Sequence, residues 1–219
     1  MRKLSECLLY GIVDLAYVEA SRSCQVAEAM IEGGVDLLQL RGKKASIEQL
    51  TNLSWQLHEV TAAASVPLIV NDHPEIASSV PVEGVHVGQD DAPIDSARRT
   101  VDRPIWVGKS THSLEQAMAA VREGADYIGF GPVYATPTKP DYAPAGLTDI
   151  NTVYQKVRLP IFCIGGVKRD NLVSVIAAGA RRVVIVSGLL KASDITEYAR
   201  GCKDMLLEAS NPSGITKSE

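Results

Sequence analysis

The chain has 219 residues, of which 46% are hydrophobic and 22% are charged, and its formal net charge is −4. These values are ordinary for one soluble globular domain, and the negative charge gives no electrostatic reason to expect a nucleic-acid partner. The N-terminal stretch lacks the long apolar core of a secretory signal, and no apolar run approaches the roughly 18 residues of a membrane span. We therefore expect a cytoplasmic protein without a membrane partner.

Eight short apolar runs recur along the chain, and polar or glycine-rich residues follow each of them. Near-continuous apolar runs are typical of parallel strands that are buried on both faces. The runs are Leu8–Val13, Asp36–Arg41, Pro67–Asp72, Gly84–Gln89, Pro104–Ser110, Asp126–Pro132, Pro160–Gly166 and Arg182–Gly188. Four scattered cysteines without a CxxC pair indicate free thiols rather than a zinc site.

Segments with helical spacing and capping residues lie between these runs. They are Ser21–Glu32, Ser46–Ala64, Ser113–Glu123, Asp170–Ala178 and Ser193–Ala209. Eight β–α units in a chain of this length predict a single (β/α)8 TIM barrel over residues 1–209. A doubly wound open sheet is the competing arrangement, because a strand count does not demonstrate closure. The polar tail, residues 210–219, is expected to be disordered.

Acidic residues follow two neighbouring strands. Asp72 ends the third apolar run, and Asp90 and Asp91 follow the fourth. In such barrels the C-terminal strand ends form the site, so two carboxylates could converge on a hard cation there. Carboxylate oxygens without a Cys or His cluster favour magnesium over zinc. Asp91 also precedes Ala92-Pro93, where it could cap a helix, and spacing alone does not choose between Asp90 and Asp91.

Polar and cationic side chains follow the second and fifth strands. Gln39 and Arg41 alternate along one strand and so share a face, and Lys43 follows them. A buried arginine needs an anionic partner, which is either a structural carboxylate or a phosphorylated ligand. Ser110 ends the fifth run, where its hydroxyl could bind phosphate or cap a helix.

The remaining strand ends suggest phosphate binding. The longest loop follows strand six and places Thr136, Thr138 and Lys139 within four residues, which suits phosphate oxygens, although a solvated proline-rich loop is the alternative. Gly165-Gly166 and Ser187-Gly188 follow strands seven and eight, where barrels often bind phosphate through backbone N–H groups. Carboxylates and cations on one side and glycines on the other predict two phosphorylated small-molecule ligands, one of them carried by Mg²⁺.

Taken together, these strand ends resemble the thiamine phosphate synthase family. The matching stretches are QLRGK (39–43), ND (71–72), GVHVGQDD (84–91), GKSTH (108–112), GADYIGFGPVYATPTK (124–139), IGGV (164–167) and VSG (186–188). They span almost the whole chain in order. Two positions depart from the family pattern, Lys109 and Tyr134, and we expect neither to contact a ligand-binding residue, since Lys109 alternates away from the face of Ser110.

The resemblance implies a set of ligand-binding residues. The pyrimidine diphosphate would be bound by Gln39, Arg41, Lys43, Asn71, Ser110 and Lys139. The thiazole phosphate would be bound by Thr136, Thr138, Gly166, Val186 and Ser187. Magnesium would be bound by Asp72 and Asp91, a choice that rests on the resemblance and leaves Asp90 open.

The resemblance also implies an activity. The expected reaction condenses 4-amino-2-methyl-5-(diphosphooxymethyl)pyrimidine with 4-methyl-5-(2-phosphooxyethyl)thiazole, or its carboxylated form, to give thiamine phosphate and diphosphate. One alternative is a thiazole tautomerase of the same barrel type, and another is a non-catalytic sensor of phosphorylated ligands. A generic sugar-phosphate barrel enzyme is a weaker alternative, because no base or Schiff-base lysine stands out on a strand. The oligomeric state, including a homo-oligomer, stays open.

Overall fold

The structure is a computed structural model that describes residues 2–135 and 146–211. In this part of the chain, eight parallel strands each pair with the next, and β8 pairs with β1 to close the barrel. The strands are β1 Leu9–Asp14, β2 Leu37–Arg41, β3 Leu68–Asn71, β4 Gly84–Val87, β5 Trp106–Thr111, β6 Tyr127–Phe130, β7 Ile161–Cys163 and β8 Val183–Ile185. The predicted TIM barrel is confirmed, and the open sheet is excluded.

Helices cover the outside of the barrel between successive strands. They are α1 Ser23–Glu32, α2 Ile47–Ala63, α3 Pro74–Ser79, α4 Ile94–Thr100, α5 Leu114–Arg122, α6 Thr148–Lys156, α7 Leu172–Ala177, α8 Ser187–Leu190 and α9 Ile195–Ser210. The segments expected to be helical correspond to α1, α2, α5, α7 and α9. Helix α9 ends at Ser210, one residue beyond the predicted helical segment, and residues 212–219 of the predicted tail lie outside the described residues.

Local signals explain where two of these helices begin and end. The Ser46 side chain accepts a hydrogen bond from Gln49 N, and the Gln49 side chain accepts one from Ser46 N, which forms a capping box on α2. Ser113 caps α5 by accepting from Gln116 N at 3.2 Å. Just after α5, Gly124 takes a φ of +84°, which glycine adopts at little cost.

Two layers of buried side chains hold the barrel together. Along β1, Leu9 and Val13 belong to the large apolar layer between strands and helices. The alternating residues Tyr10 and Ile12 belong to a second layer inside the barrel, where Phe162 also packs. This alternation is the two-residue period of a strand, and the interior layer forms the floor on which the site is built.

A buried carboxylate ties the chain together at the end of the barrel where the strands begin. Asp36 precedes β2 and is 2% exposed. Its Oδ2 accepts from the amides of Leu8 and Leu9 at 2.8 and 3.0 Å. The same carboxylate forms ion pairs with Arg2 and with Lys203 of α9. The group therefore joins the first strand, the N-terminal segment and the last helix.

Within residues 2–135 and 146–211, no helix combines the length and apolar character that a bilayer crossing demands.

Candidate active site

An open cavity lies at the C-terminal ends of the strands, and its empty space, including solvent at the mouth, is about 1070 Å³. It is lined by all ten predicted site residues that fall within the described residues. They are Gln39, Arg41, Lys43, Asn71, Asp72, Asp91, Ser110, Gly166, Val186 and Ser187. Thr136, Thr138 and Lys139 lie outside the described residues.

Two carboxylates form one wall of this cavity. Asp72 follows β3 with a φ of +66°, an uncommon conformation for a residue with a side chain, and its amide donates to His86 O at 2.8 Å. Asp91 follows β4, and its Oδ2 accepts from Gly88 N at 2.6 Å. Asp91 does not cap α4, whose N-cap residue is Pro93. Asp90 is not among the residues that line the cavity.

The two carboxylates contact each other, and each changes the other's affinity for protons. Burial and the neighbouring Asp91 raise the pKa of Asp72. Burial also acts to raise the pKa of Asp91, but hydrogen bonds with Asp72 and Gly88 N and the nearby lysine ammonium groups outweigh it and lower this pKa. Two adjacent carboxylates repel when both are ionised, so a cation between them would be strongly favoured.

The donor set at this wall fits magnesium better than zinc. No group of three His, Cys, Asp or Glu side chains that could hold a metal occurs among residues 2–135 and 146–211. An all-protein cage of the kind that structural zinc sites use is therefore absent from this part of the chain. Magnesium is commonly held by one or two carboxylates together with waters and substrate phosphates, and Asp72 and Asp91 could supply those two carboxylates.

Two cationic side chains lie beside the carboxylate wall. Arg41 Nη1 lies 2.5 Å from Oδ2 of Asp14, which is the last residue of β1 and is 1% exposed. Lys43 Nζ lies 3.6 Å from Oδ2 of Asp72. The two readings of Arg41 are thus combined in the structure, since the guanidinium has a structural carboxylate partner and also lines the cavity.

Glycines form the opposite wall and pack against the start of the long loop. Gly165 and Gly166 have φ values of +95° and +67°. A Cβ on Gly165 would lie 2.4 Å from Pro132 Cα, and one on Gly166 would lie 2.7 Å from Tyr134 Cβ. Tyr134 N donates to Gly165 O at 2.9 Å. Residues with side chains would not fit here, and both glycines line the cavity.

The structure corrects one of the two expectations about the departures from the family pattern and agrees with the other. Tyr134 does contact a predicted ligand-binding residue, because it packs on Gly166. Lys109 faces away from the cavity, as strand alternation predicts, yet its charge helps lower the pKa of Asp91. The register that pairs Lys109 with Val87, just before Gly88, explains this effect.

The cavity residues that were not identified as site residues from the sequence include Asp14, Tyr10 and His86. Asp14 carries a signal that could have revealed it, because it is an acidic residue at the end of an apolar strand, just like Asp72. Tyr10 and His86 carry no such signal, since either can be an ordinary interior residue of a strand.

Comparison with known proteins places this geometry in a family. Residues 9–189 match the family model described as thiamine monophosphate synthase. The chain is 43% identical to a thiamine-phosphate synthase of Chloroflexus aurantiacus over 193 residues, which cover 88% of this chain and 89% of the relative. It is 38% identical to the thiamine-phosphate synthase of Pelotomaculum thermopropionicum, covering 93% of this chain and 94% of that one.

Solved structures agree with the sequence comparison. A thiamine phosphate pyrophosphorylase from Pyrococcus furiosus superposes with a TM-score of 0.85 at 28% identity, covering 94% of this chain and 98% of that one. The 3-hexulose-6-phosphate synthase of Salmonella typhimurium superposes with a TM-score of 0.73 at 16% identity, covering 92% and 99%. At that identity the second likeness shows a shared barrel fold alone.

Proposed function

The chain belongs to the thiamine monophosphate synthase family, and from this premise we propose that it condenses an aminopyrimidine methyl diphosphate with a thiazole phosphate to give thiamine phosphate and diphosphate. The observation that carries the proposal is the composition of the cavity just described. Two carboxylates, Arg41 and Lys43 lie on one side, and the glycine backbone at Gly166 lies on the other. The diphosphate of one substrate and the phosphate of the other could therefore bind at opposite walls. The methylene carbon of the pyrimidine and the nitrogen of the thiazole would then lie between them.

The reaction needs no covalent bond between the substrates and the protein. The thiazole nitrogen forms a bond to the methylene carbon, and the bond from that carbon to the diphosphate oxygen breaks, with its electron pair leaving on the diphosphate. An electron-rich aminopyrimidine stabilises positive charge on the methylene carbon, which favours a dissociative transition state. The protein then has to stabilise charge on the leaving group and align the nucleophile.

The side chains supply these two effects from opposite walls. Arg41 and Lys43 donate to the diphosphate oxygens, and Asn71 and Ser110 add neutral hydrogen bonds. We assign Lys139 the same role from the sequence. The backbone around Gly166 and Ser187, together with Thr136 and Thr138, anchors the thiazole through its phosphate and so holds its nitrogen near the methylene carbon.

Asp72 and Asp91 are proposed to hold Mg²⁺. When bound, the ion supplies Lewis-acid neutralisation of the diphosphate charge. Asp72 lies 3.6 Å from Lys43, so the carboxylates also orient a lysine toward the leaving group. Below them, Ile12 and Val184 form an apolar floor that excludes water from the methylene carbon.

The two alternatives explain less of the cavity. A thiazole tautomerase has no diphosphate to neutralise. It would therefore not explain why charged side chains line this wall, namely Asp72, Asp91, Arg41 and Lys43. A ligand sensor would need no arrangement that aligns two substrates. For cellular context we propose a cytoplasmic location, small phosphorylated molecules as substrates, and no nucleic-acid or membrane partner.

One assay tests the activity. Purified protein is mixed with both substrates and MgCl₂, and the products are separated by chromatography. We expect thiamine phosphate and diphosphate in equal amounts, and their loss when MgCl₂ is replaced by a chelator. Conversion of the thiazole phosphate without condensation would favour the isomerase, and tight binding without any turnover would favour the sensor.

A further inference from the structure

A chain of hydrogen bonds crosses the barrel beneath the cavity and joins two of its walls. Gln39 Nε2 on β2 donates to Tyr10 OH at 2.6 Å, and Tyr10 OH lies 3.3 Å from Tyr127 OH. Tyr127 OH lies 3.2 Å from His86 Nδ1, and His86 Nε2 lies 3.0 Å from Ser110 Oγ on β5. The two ends of this chain, Gln39 and Ser110, are both predicted to bind the pyrimidine diphosphate.

Tyr127, the central member of the chain, lies below the cavity and does not line it. Its side chain is fully buried, and that of Tyr10 is 1% exposed. Gly108 makes room for the ring, since a Cβ there would lie 2.1 Å from Tyr127 Cζ. Burial raises the pKa of both tyrosines above the ordinary value, so each hydroxyl keeps one proton that needs an acceptor.

If all the hydrogen bonds run in one direction, from Gln39 towards Ser110, each tyrosine hydroxyl proton has an acceptor among these five side chains. Because the Gln39 amide donates to Tyr10, the Tyr10 hydroxyl can donate to Tyr127, and Tyr127 can donate to His86 Nδ1. His86 then carries its proton on Nε2 and donates it to Ser110 Oγ. With Nε2 of the Gln39 amide facing Tyr10, the opposite direction would leave the Tyr10 proton without an acceptor among these five side chains, at a cost in a dry interior.

We propose that Tyr127 is a positioning residue that acts through His86 to direct the Ser110 hydroxyl proton into the cavity. With its oxygen accepting from His86, the serine hydroxyl keeps its own proton for an anionic oxygen of the substrate. The inference rests on the proposed function, because it takes the diphosphate substrate to be the acceptor. It adds to that function a buried residue that does not touch substrate and yet affects how the substrate is bound.

A double-mutant cycle separates this role from general packing. The variants are Y127F, S110A and the combination of both, and kcat/KM for the pyrimidine diphosphate is measured at saturating thiazole phosphate. We expect Y127F to lower kcat/KM about tenfold in the wild-type background, a change of about 1.4 kcal/mol, and less than about twofold in the S110A background. The KM for the thiazole phosphate should not change.

Y154F is the matched control for the loss of a buried tyrosine hydroxyl. Tyr154 OH donates to Ile161 O at 2.7 Å and accepts from Arg181 N at 3.1 Å, away from the cavity. We expect Y154F to lower thermal stability and to leave kcat/KM unchanged. An equal loss of kcat/KM from Y127F in both backgrounds would show that Tyr127 acts through packing alone and would overturn the inference.

A second measurement needs neither turnover nor a variant. Imidazole nitrogen chemical shifts of the ligand-free wild-type protein report which ring nitrogen of His86 carries the proton. We expect the proton on Nε2. A proton on Nδ1, in protein that makes thiamine phosphate, would reject this inference alone, whereas wild-type protein without turnover would reject the proposed function.

Discussion

Arg41 and Asp14 form an ion pair at the C-terminal ends of β2 and β1, with Arg41 Nη1 2.5 Å from Asp14 Oδ2. The carboxylate is itself fixed, because its Oδ1 accepts from Ala16 N at 3.0 Å. The pairing of β1 with β2 places the two residues directly opposite each other. The guanidinium is therefore oriented toward the cavity before any ligand arrives, which lowers the ordering cost of binding.

Removing the carboxylate should weaken both stability and substrate binding. We expect D14N to lower the free energy of unfolding by about 2 kcal/mol, the usual cost of losing a hydrogen bond to a charged group. The KM for the pyrimidine diphosphate should rise, because Arg41 loses its fixed orientation. Chemical denaturation and steady-state kinetics measure these effects. As a control, D95N removes the exposed pair of Asp95 with Arg99, and neither quantity should change.

The carboxylate wall should determine the response to magnesium. Asn is the sharper replacement for Asp91, because its side-chain oxygen can still accept from Gly88 N. We expect D91N to fold normally, to lose roughly 100-fold in turnover, on the scale of removing one charge-stabilising group, and to need more MgCl₂ for half-maximal rate. D90N changes a neighbouring residue that does not line the cavity, and it should behave like wild type. Equal effects of the two variants would remove Asp91 from the metal site.

The glycine wall should affect the second substrate selectively. G166A forces an alanine to a φ of +67° and places its Cβ 2.7 Å from Tyr134 Cβ. We expect the KM for the thiazole phosphate to rise at least tenfold while the KM for the pyrimidine diphosphate stays nearly constant. G124A is the matched control, since Gly124 has a φ of +84° and nothing lies within 4 Å of a Cβ there. That variant should lose about 1 kcal/mol of stability and keep both constants.

Lys139 is assigned to the diphosphate by sequence, and kinetics can test the assignment. We expect K139A to slow the chemical step by about 3 kcal/mol, as the loss of one charge-stabilising donor does. Single-turnover measurements at saturating substrates isolate that step. Should the variant change only the KM for the thiazole phosphate, Lys139 would belong to the other substrate.

The strands were predictable because a strand that is buried on both faces is a near-continuous run of apolar residues in the sequence. The run Leu8–Val13 predicts β1, which spans Leu9–Asp14, and the difference of one residue does not change which side chains face inward. Helices α3, α4, α6 and α8 were not predicted. Unlike α7, which also has only six residues and ends just before Gly179, none of them is followed by a C-terminal glycine that marks its end. Their positions depend on packing against the strands beside them.

The polar residues at the strand ends were predictable for a topological reason. The hydrogen-bonded residues buried below them, inside the barrel, were not. All strands of a parallel barrel end on one side, so polar residues such as Asp72 and Ser110 could be grouped before any geometry was known. The link between Tyr127 and His86 depends on how β4 and β6 are staggered across the barrel interior. No spacing along the chain contains that information.

The Asp36 cluster lies at the end of the barrel remote from the cavity, and this separation bears on how the protein can be altered. Arg2, Lys203 and the first amides of β1 all converge on one carboxylate where β2 begins. Changes there and changes at the rim share no partner, so their free-energy effects should add. Thermal robustness and substrate preference can thus be engineered in separate rounds, each without undoing the other.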